Sequence, residues 1–143
     1  MTFAPGEKAT VLFVDDEPRV LAGLRDALWR GPFNVLTAES PEEGKKLLAE
    51  HDVSVVVSDE RMPGTKGSDF LGWVSTCYPQ IPCIMLTGEA SLDANARNIQ
   101  SVKMYRFLHK PVTPDDLRQV LGQAIRLKEL FAHADSGRRA ARV

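Results

Sequence analysis

Four features that could do chemistry stand at the ends of apolar runs. Asp15 and Asp16 follow the run 10–14, Asp59 follows Val55-Val56-Val57-Ser58, Thr87 follows Ile84-Met85-Leu86, and Lys110 closes the segment after Phe107-Leu108. Three carboxylates gathered at one point repel each other unless a cation joins them. A small hard cation suits them, because Mg²⁺ is held by one or two carboxylates with water and phosphate oxygens completing its shell. A lysine and a hydroxyl beside such a centre would neutralise and hydrogen-bond phosphoryl oxygens as charge spreads over them. A carboxylate can itself be the nucleophile and form an aspartyl phosphate. The residue types therefore suit the handling of a phosphoryl group, provided the fold brings them together.

The elements that must do so can be read from the apolar pattern. Expected strands are 10–14, 33–38, 53–58, 82–86 and 104–108; the central one is a β-branched run of the kind buried on both faces of a parallel sheet. Tyr105 and Arg106 break the apolar character of the last, which predicts an edge position. Helices are expected between them. The first opens at Pro18, carries Val20, Leu21, Leu24, Ala27 and Leu28 on one face, and stops near Gly31-Pro32. The second starts from a capping box, Ser40 with Glu43 three residues on. The third opens at Gly67-Ser68-Asp69 with Phe70, Leu71 and Val74 inward. The fourth, from Ser91, is polar and weakly patterned. The fifth is capped by Thr113 and carries Leu117, Val120, Leu121, Ala124, Leu127, Leu130 and Phe131, a stripe longer than the roughly 12-residue mean helix.

This alternation predicts an α/β fold, a doubly wound five-stranded parallel sheet with helices on both faces and flavodoxin-like strand order 2-1-3-4-5. Residues 1–9 are expected as a lead-in, 10–131 as the domain, and 132–143 as a tail or linker. The switch point of that order lies between the first and third strands, where Asp15, Asp16 and Asp59 would converge.

Composition narrows the function classes. The chain has 143 residues, 43% hydrophobic and 26% charged, with a net charge of -1. That balance gives no sign of nucleic-acid or membrane binding. No apolar run approaches the ~20 residues needed to span a bilayer, and the N-terminus has no secretory h-region. Cys77 and Cys83 match no zinc or redox spacing and are expected as reduced thiols near the core. A cytoplasmic location follows as an expectation. His51, His109 and His133 are expected at the surface, Arg138, Arg139 and Arg142 in a solvated tail, and Trp29 and Trp73 in packing.

The acidic pair Asp15-Asp16, the motif Asp59-x-x-Met62-Pro63-x-x-x-Gly67, Thr87 after the fourth strand and Lys110-Pro111 after the fifth together resemble the receiver domains of bacterial two-component response regulators. The resemblance covers roughly residues 9–130. It implies that Asp59 accepts a phosphoryl group from a phosphohistidine on a sensor histidine kinase or phosphotransfer protein. It implies Mg²⁺ bound directly by Asp16, Asp59 and the Arg61 backbone carbonyl, and through water by Asp15. Lys110 and Thr87 would engage the phosphoryl group, Phe107 would be the aromatic switch, and the bond before Pro111 would be cis. Arg61 and Glu89 would border the path of water to the phosphorus and tune the lifetime of the phosphorylated state. The face formed by the fourth helix, fifth strand and fifth helix would carry the signal to an output domain or downstream protein, and it allows a homodimer.

The run Tyr105-Arg106-Phe107-Leu108-x-Lys110-Pro111 with Leu86-Thr87-Gly88-Glu89 is closest to receivers joined to HD-type phosphodiesterases or hydrogenase-type transcription activators. Here the switch position holds phenylalanine, which lacks the hydroxyl many receivers have there. The resemblance implies a signalling module with slow self-dephosphorylation at most, stand-alone or cut from a longer protein. Two other readings compete. A haloacid-dehalogenase-type Mg²⁺-dependent phosphohydrolase uses similar groups but expects Asp-x-Asp where this chain has Asp15-Asp16-Glu17. A degenerate receiver could serve as a scaffold alone. Each feature singly has an ordinary explanation, such as acids at a helix N-terminus, but all four in order do not.

Overall fold

The computed structural model describes residues 8–29, 31–62, 64–88, 104–110 and 112–141. Strands β1 (Ala9–Val14), β2 (Phe33–Ala38), β3 (Val55–Asp59), β6 (Cys83–Thr87) and β7 (Met104–His109) form one parallel sheet in the order β2-β1-β3-β6-β7. This is the expected 2-1-3-4-5 order, with β7 at an edge. A separate antiparallel ribbon, β4 (Arg61–Met62) with β5 (Thr65–Lys66), lies between β3 and the third helix. The sequence reading missed this ribbon, although a Pro-Gly dipeptide in the sequence at 63–64 is a turn signal. Gly64 takes φ 77°, a conformation open to glycine.

Helices α1 (Pro18–Leu28), α2 (Pro41–Glu50), α3 (Gly67–Cys77) and α4 (Pro114–Ala141) cover the sheet. The helix expected from Ser91 lies outside the described residues. Alternate residues of the central strands divide the core into two layers. Val11, Phe13, Val55, Val57, Ile84 and Leu86 face the layer shared with α1 and α4. Leu12, Val14, Val56 and Met85 face the layer shared with α2 and α3, where Phe70, Leu71 and Val74 enter. Every residue of β3 is buried, as a strand covered on both faces requires.

Local details depart from expectation in instructive ways. Asp59 and Thr87 are the last residues of their strands, so ladder bonds hold their backbones. Trp29, expected in packing, is 75% exposed, because α1 ends at Leu28 and Trp29 only caps it. Leu130, expected on the inner face of the last helix, is 65% exposed; the deeply buried positions of α4 are Leu117, Val120, Leu121, Ala124 and Ile125. The backbone of α4 stays helical to Ala141, through residues 132–141. Trp73 does pack, between the rings of Phe70 and Tyr78. Cys77 is exposed, whereas Cys83 is buried and burial pushes its thiol up to about 11, keeping it neutral. His51 and His109 are exposed.

The capping box of α2 forms with one variation. Ser40 Oγ accepts from Glu43 N at 3.2 Å, but the Glu43 carboxylate accepts from Glu39 N at 3.2 Å, one residue before the cap. Ser40→Ala is expected to destabilise the domain by about 1 kcal/mol in chemical denaturation. An unchanged denaturation midpoint would show that the Ser40 bond contributes nothing net.

Candidate phosphoryl and metal site

The carboxyl ends of β1 and β3 flank the switch point of the sheet, and the acids leave from there. Asp15 follows β1 directly; its N–H donates to the Ala38 carbonyl at 3.1 Å, extending the pairing with β2 by one step. Its Oδ1 accepts from Glu17 N at 2.9 Å, which turns the chain into α1. Asp15 and Asp59 are buried and Asp16 is exposed. Ligand atoms of all three lie within 4.8 Å of one another. The convergence expected from strand order alone is present.

Lys110 arrives from the end of β7. Its backbone N–H donates to the Thr87 carbonyl at 2.8 Å, joining the exits of β6 and β7. From that anchor its Nζ reaches Asp59 Oδ1 at 2.5 Å, an ion pair at the rim of the acidic cluster. Thr87 is fully buried. In register, Met85 opposes Phe107 and Thr87 opposes His109, so Phe107 lies on the Thr87 face one pleat away. Phe107 is half-buried against the layer that holds Leu12, Val14 and Met85.

Two buried oxygens, Asp15 Oδ2 and Thr87 Oγ1, have no hydrogen-bond partner among the described residues. A buried polar atom left unpaired costs about 1–3 kcal/mol, so each of the two is open to a further partner. Burial, reinforced by Asp59 and Asp16, raises the Asp15 carboxyl above its ordinary 3.8 against the opposing Glu17 N–H and Lys110. A compact all-oxygen donor set with an orphaned carboxylate oxygen fits a Mg²⁺ ion. Arg61 starts the ribbon and its side chain is exposed. Glu89 and Pro111 lie outside the described residues, so the expected lid partner and cis bond do too.

The sequence reading treated Ser58 only as the small polar residue before the acceptor. Its Oγ in fact donates to the Asp59 carbonyl at 2.9 Å. The available signal was a serine interrupting a β-branched run in a strand buried on both faces.

The sequence matches the response regulator receiver domain family over residues 11–122. This chain belongs to that family. It is 36% identical to the hydrogenase transcriptional regulatory protein HoxA of Cupriavidus necator, over 87% of this chain and 26% of that protein. It thus spans about a quarter of the length of this curated relative. Among solved structures, a response regulator receiver domain from Clostridium thermocellum superimposes with a TM-score of 0.80 at 33% identity, covering 86% of this chain and 98% of that one. The receiver domain of an HD domain-containing protein from Pseudomonas fluorescens gives 0.81 at 28% identity, covering 86% and 98%. The receiver fold is thus shared with receivers from a hydrogenase regulatory protein and from an HD domain-containing protein.

The raised Asp15 carboxyl makes a pH prediction. The folded, metal-free receiver binds this proton more tightly than the unfolded chain does. The contribution is therefore complete below the unfolded value of 3.8 and is lost as pH rises through the higher folded value. Asp15→Asn should remove this loss and make the metal-free domain more stable at neutral pH, as read by urea denaturation across a pH series. Identical pH dependence in wild type and variant would rule it out.

Proposed function

We propose that this receiver accepts a phosphoryl group on Asp59 from the phosphohistidine of a sensor kinase or phosphotransfer protein, and that the new group biases its switch face. The observation that carries the reading is the meeting of Asp15, Asp16 and Asp59 within 4.8 Å, with Lys110 bonded to Asp59. Asp16, Asp59 and the Arg61 carbonyl would hold Mg²⁺ directly, with Asp15 behind a water. When bound, Mg²⁺ offsets negative charge on the phosphoryl oxygens.

The chain's own residues do the rest. An Asp59 oxygen attacks phosphorus; the O–P bond forms as the donor's N–P bond breaks, and the imidazole nitrogen keeps the electron pair. Lys110 steers the acceptor beforehand and transfers its ion pair to a phosphoryl oxygen afterwards. The Thr87 hydroxyl, without a partner among the described residues, donates to another phosphoryl oxygen, and its movement leaves room for the Phe107 ring to turn inward. Phosphorylation thus shifts a two-state equilibrium by its different affinity for the two states. Arg61, paired with Glu89, would slow attack of water on the product. The domain acts once per phosphoryl group, with slow self-dephosphorylation at most, and is not a multiple-turnover enzyme.

The partners proposed are the kinase or phosphotransfer protein and an output domain or downstream protein, as the transcriptional regulatory relative suggests. A homodimer through the face of the fourth helix expected from Ser91, β7 and α4 belongs to the same proposal. So does a cytoplasmic setting; among the described residues no helix is long and apolar enough to cross a membrane.

Incubation with acetyl phosphate and Mg²⁺ tests the reading by intact mass. Wild type should gain one acid-labile phosphoryl group, and Asp59→Asn, isosteric with the acceptor, should fold and gain none. Labelling of Asp59→Asn to the wild-type extent would overturn the assignment. Turnover of phosphate esters would favour a hydrolase, and no uptake by wild type a scaffold.

A further inference from the structure

We infer that Ser58 and Gly67 are positioning residues that lock the peptide unit carrying the acceptor, and through it the metal-binding geometry of Asp59. This rests on the proposed role of Asp59. The peptide between Asp59 and Glu60 is held at both ends. Its N–H, on Glu60, donates to the Leu86 carbonyl of the neighbouring strand at 3.2 Å. Its carbonyl, on Asp59, accepts from Ser58 Oγ at 2.9 Å. Ser58 is 0% exposed, so bulk solvent does not reach its hydroxyl, and the bond offsets the cost of burying it.

Gly67 closes the other side. The ribbon β4–β5 folds the loop back so that Gly67 N donates to the Glu60 carbonyl at 2.8 Å. The Gly67 Cα then sits against the Asp59 carbonyl. A Cβ there would overlap that oxygen and stand 3.0 Å from both the Asp59 carbonyl carbon and Glu60 Cα. These neighbours are backbone atoms and cannot swing aside as a side-chain end would. Glycine is required here by close approach of the backbone, since no positive φ is involved. With the peptide plane pinned, ψ of Asp59 is fixed, and so is the direction from which its carboxylate meets Lys110, Asp15 and Asp16. Groups that orient a metal-binding carboxylate without touching the ion are worth about 10–100-fold in affinity.

The test uses the whole chain with three variants and two kinds of readout. Mg²⁺ affinity is measured by calorimetric titration; the metal-free protein is followed by the Asp59 carbonyl ¹³C shift and by amide exchange at Gly67. Ser58→Ala should keep the fold, move the carbonyl shift and weaken Mg²⁺ binding about tenfold. Ser58→Thr, which keeps a hydroxyl, should retain wild-type affinity; a loss equal to that of alanine would assign the effect to packing and overturn the role of Ser58. Gly67→Ala should lose more affinity than Ser58→Ala and exchange its amide faster. Wild-type affinity and carbonyl shift in both Ser58→Ala and a folded Gly67→Ala would overturn the inference. If Gly67→Ala fails to fold, Ser58→Ala still decides. If wild type itself binds no Mg²⁺, the proposed function fails, while the carbonyl shift and exchange still show whether the two residues hold the peptide.

Discussion

Mutual repulsion of three carboxylates is the constraint the rest of this structure answers. Asp15, Asp16 and Asp59 share one end of the sheet, where two of them are removed from water. The Lys110–Asp59 ion pair supplies the one described positive charge in contact with the cluster. Because Lys110 is 40% exposed at its side chain, the pair is partly screened and contributes little to stability by itself. What it contributes is direction: it fixes one carboxylate oxygen of Asp59. The sheet is built to tolerate the repulsion. Its two layers of Val, Ile, Leu and Phe bury enough apolar surface that the carboxyl edge can remain electrostatically unfavourable in the metal-free state.

Sequence order and spatial order are related here by a simple rule, and that rule made the fold readable. Each apolar run was short, bounded by turn residues and followed by an amphipathic stretch, so strand and helix could be told apart by period and length. The acids then had to meet, because strand order places β1 beside β3. The Ser40 cap of α2 and the apolar face of α4 as far as Ala124 were equally legible. What could not be read depended on distances below the resolution of a pattern. The ribbon 61–66 involves only two paired residues on each side and carries no periodicity. The exposure of Trp29 and Leu130 depends on where a helix ends and how far it outruns the sheet, which hydrophobicity alone does not encode. Ser58 looked like a pause before Asp59, since a hydrogen bond to the adjacent carbonyl leaves no trace in spacing.

Coupling between the exits of the strands is the other organising theme. Thr87 and Lys110 belong to different strands, yet the Lys110 amide is bonded to the Thr87 carbonyl. Glu60 is bonded to Leu86 in the same way across the other side of β6. The last residues of β6 thus sit between the loop after Asp59 and the loop at Lys110, in main-chain contact with both. The three segments are joined there by backbone hydrogen bonds, which are short-ranged and directional. Phe107, on the same face of β7 as His109 and one pleat from it, lies opposite Met85 in the register of β6.

The length of α4 has a mechanical consequence. Lys128 is the furthest residue along this helix with a described bond to the body of the domain, donating to the Val53 carbonyl at 3.0 Å and pairing with Asp52 at 3.5 Å. Beyond it the helical backbone runs on to Ala141, a stiff rod of about 20 Å at 1.5 Å per residue. Measured from Lys128, such a rod has the geometry of a lever. A tilt of only about 6° at that residue carries the far end through about 2 Å. Rearrangements too small to disturb the packing of Leu121 or Ala124 would therefore be magnified along the rod, with the gain set by its length.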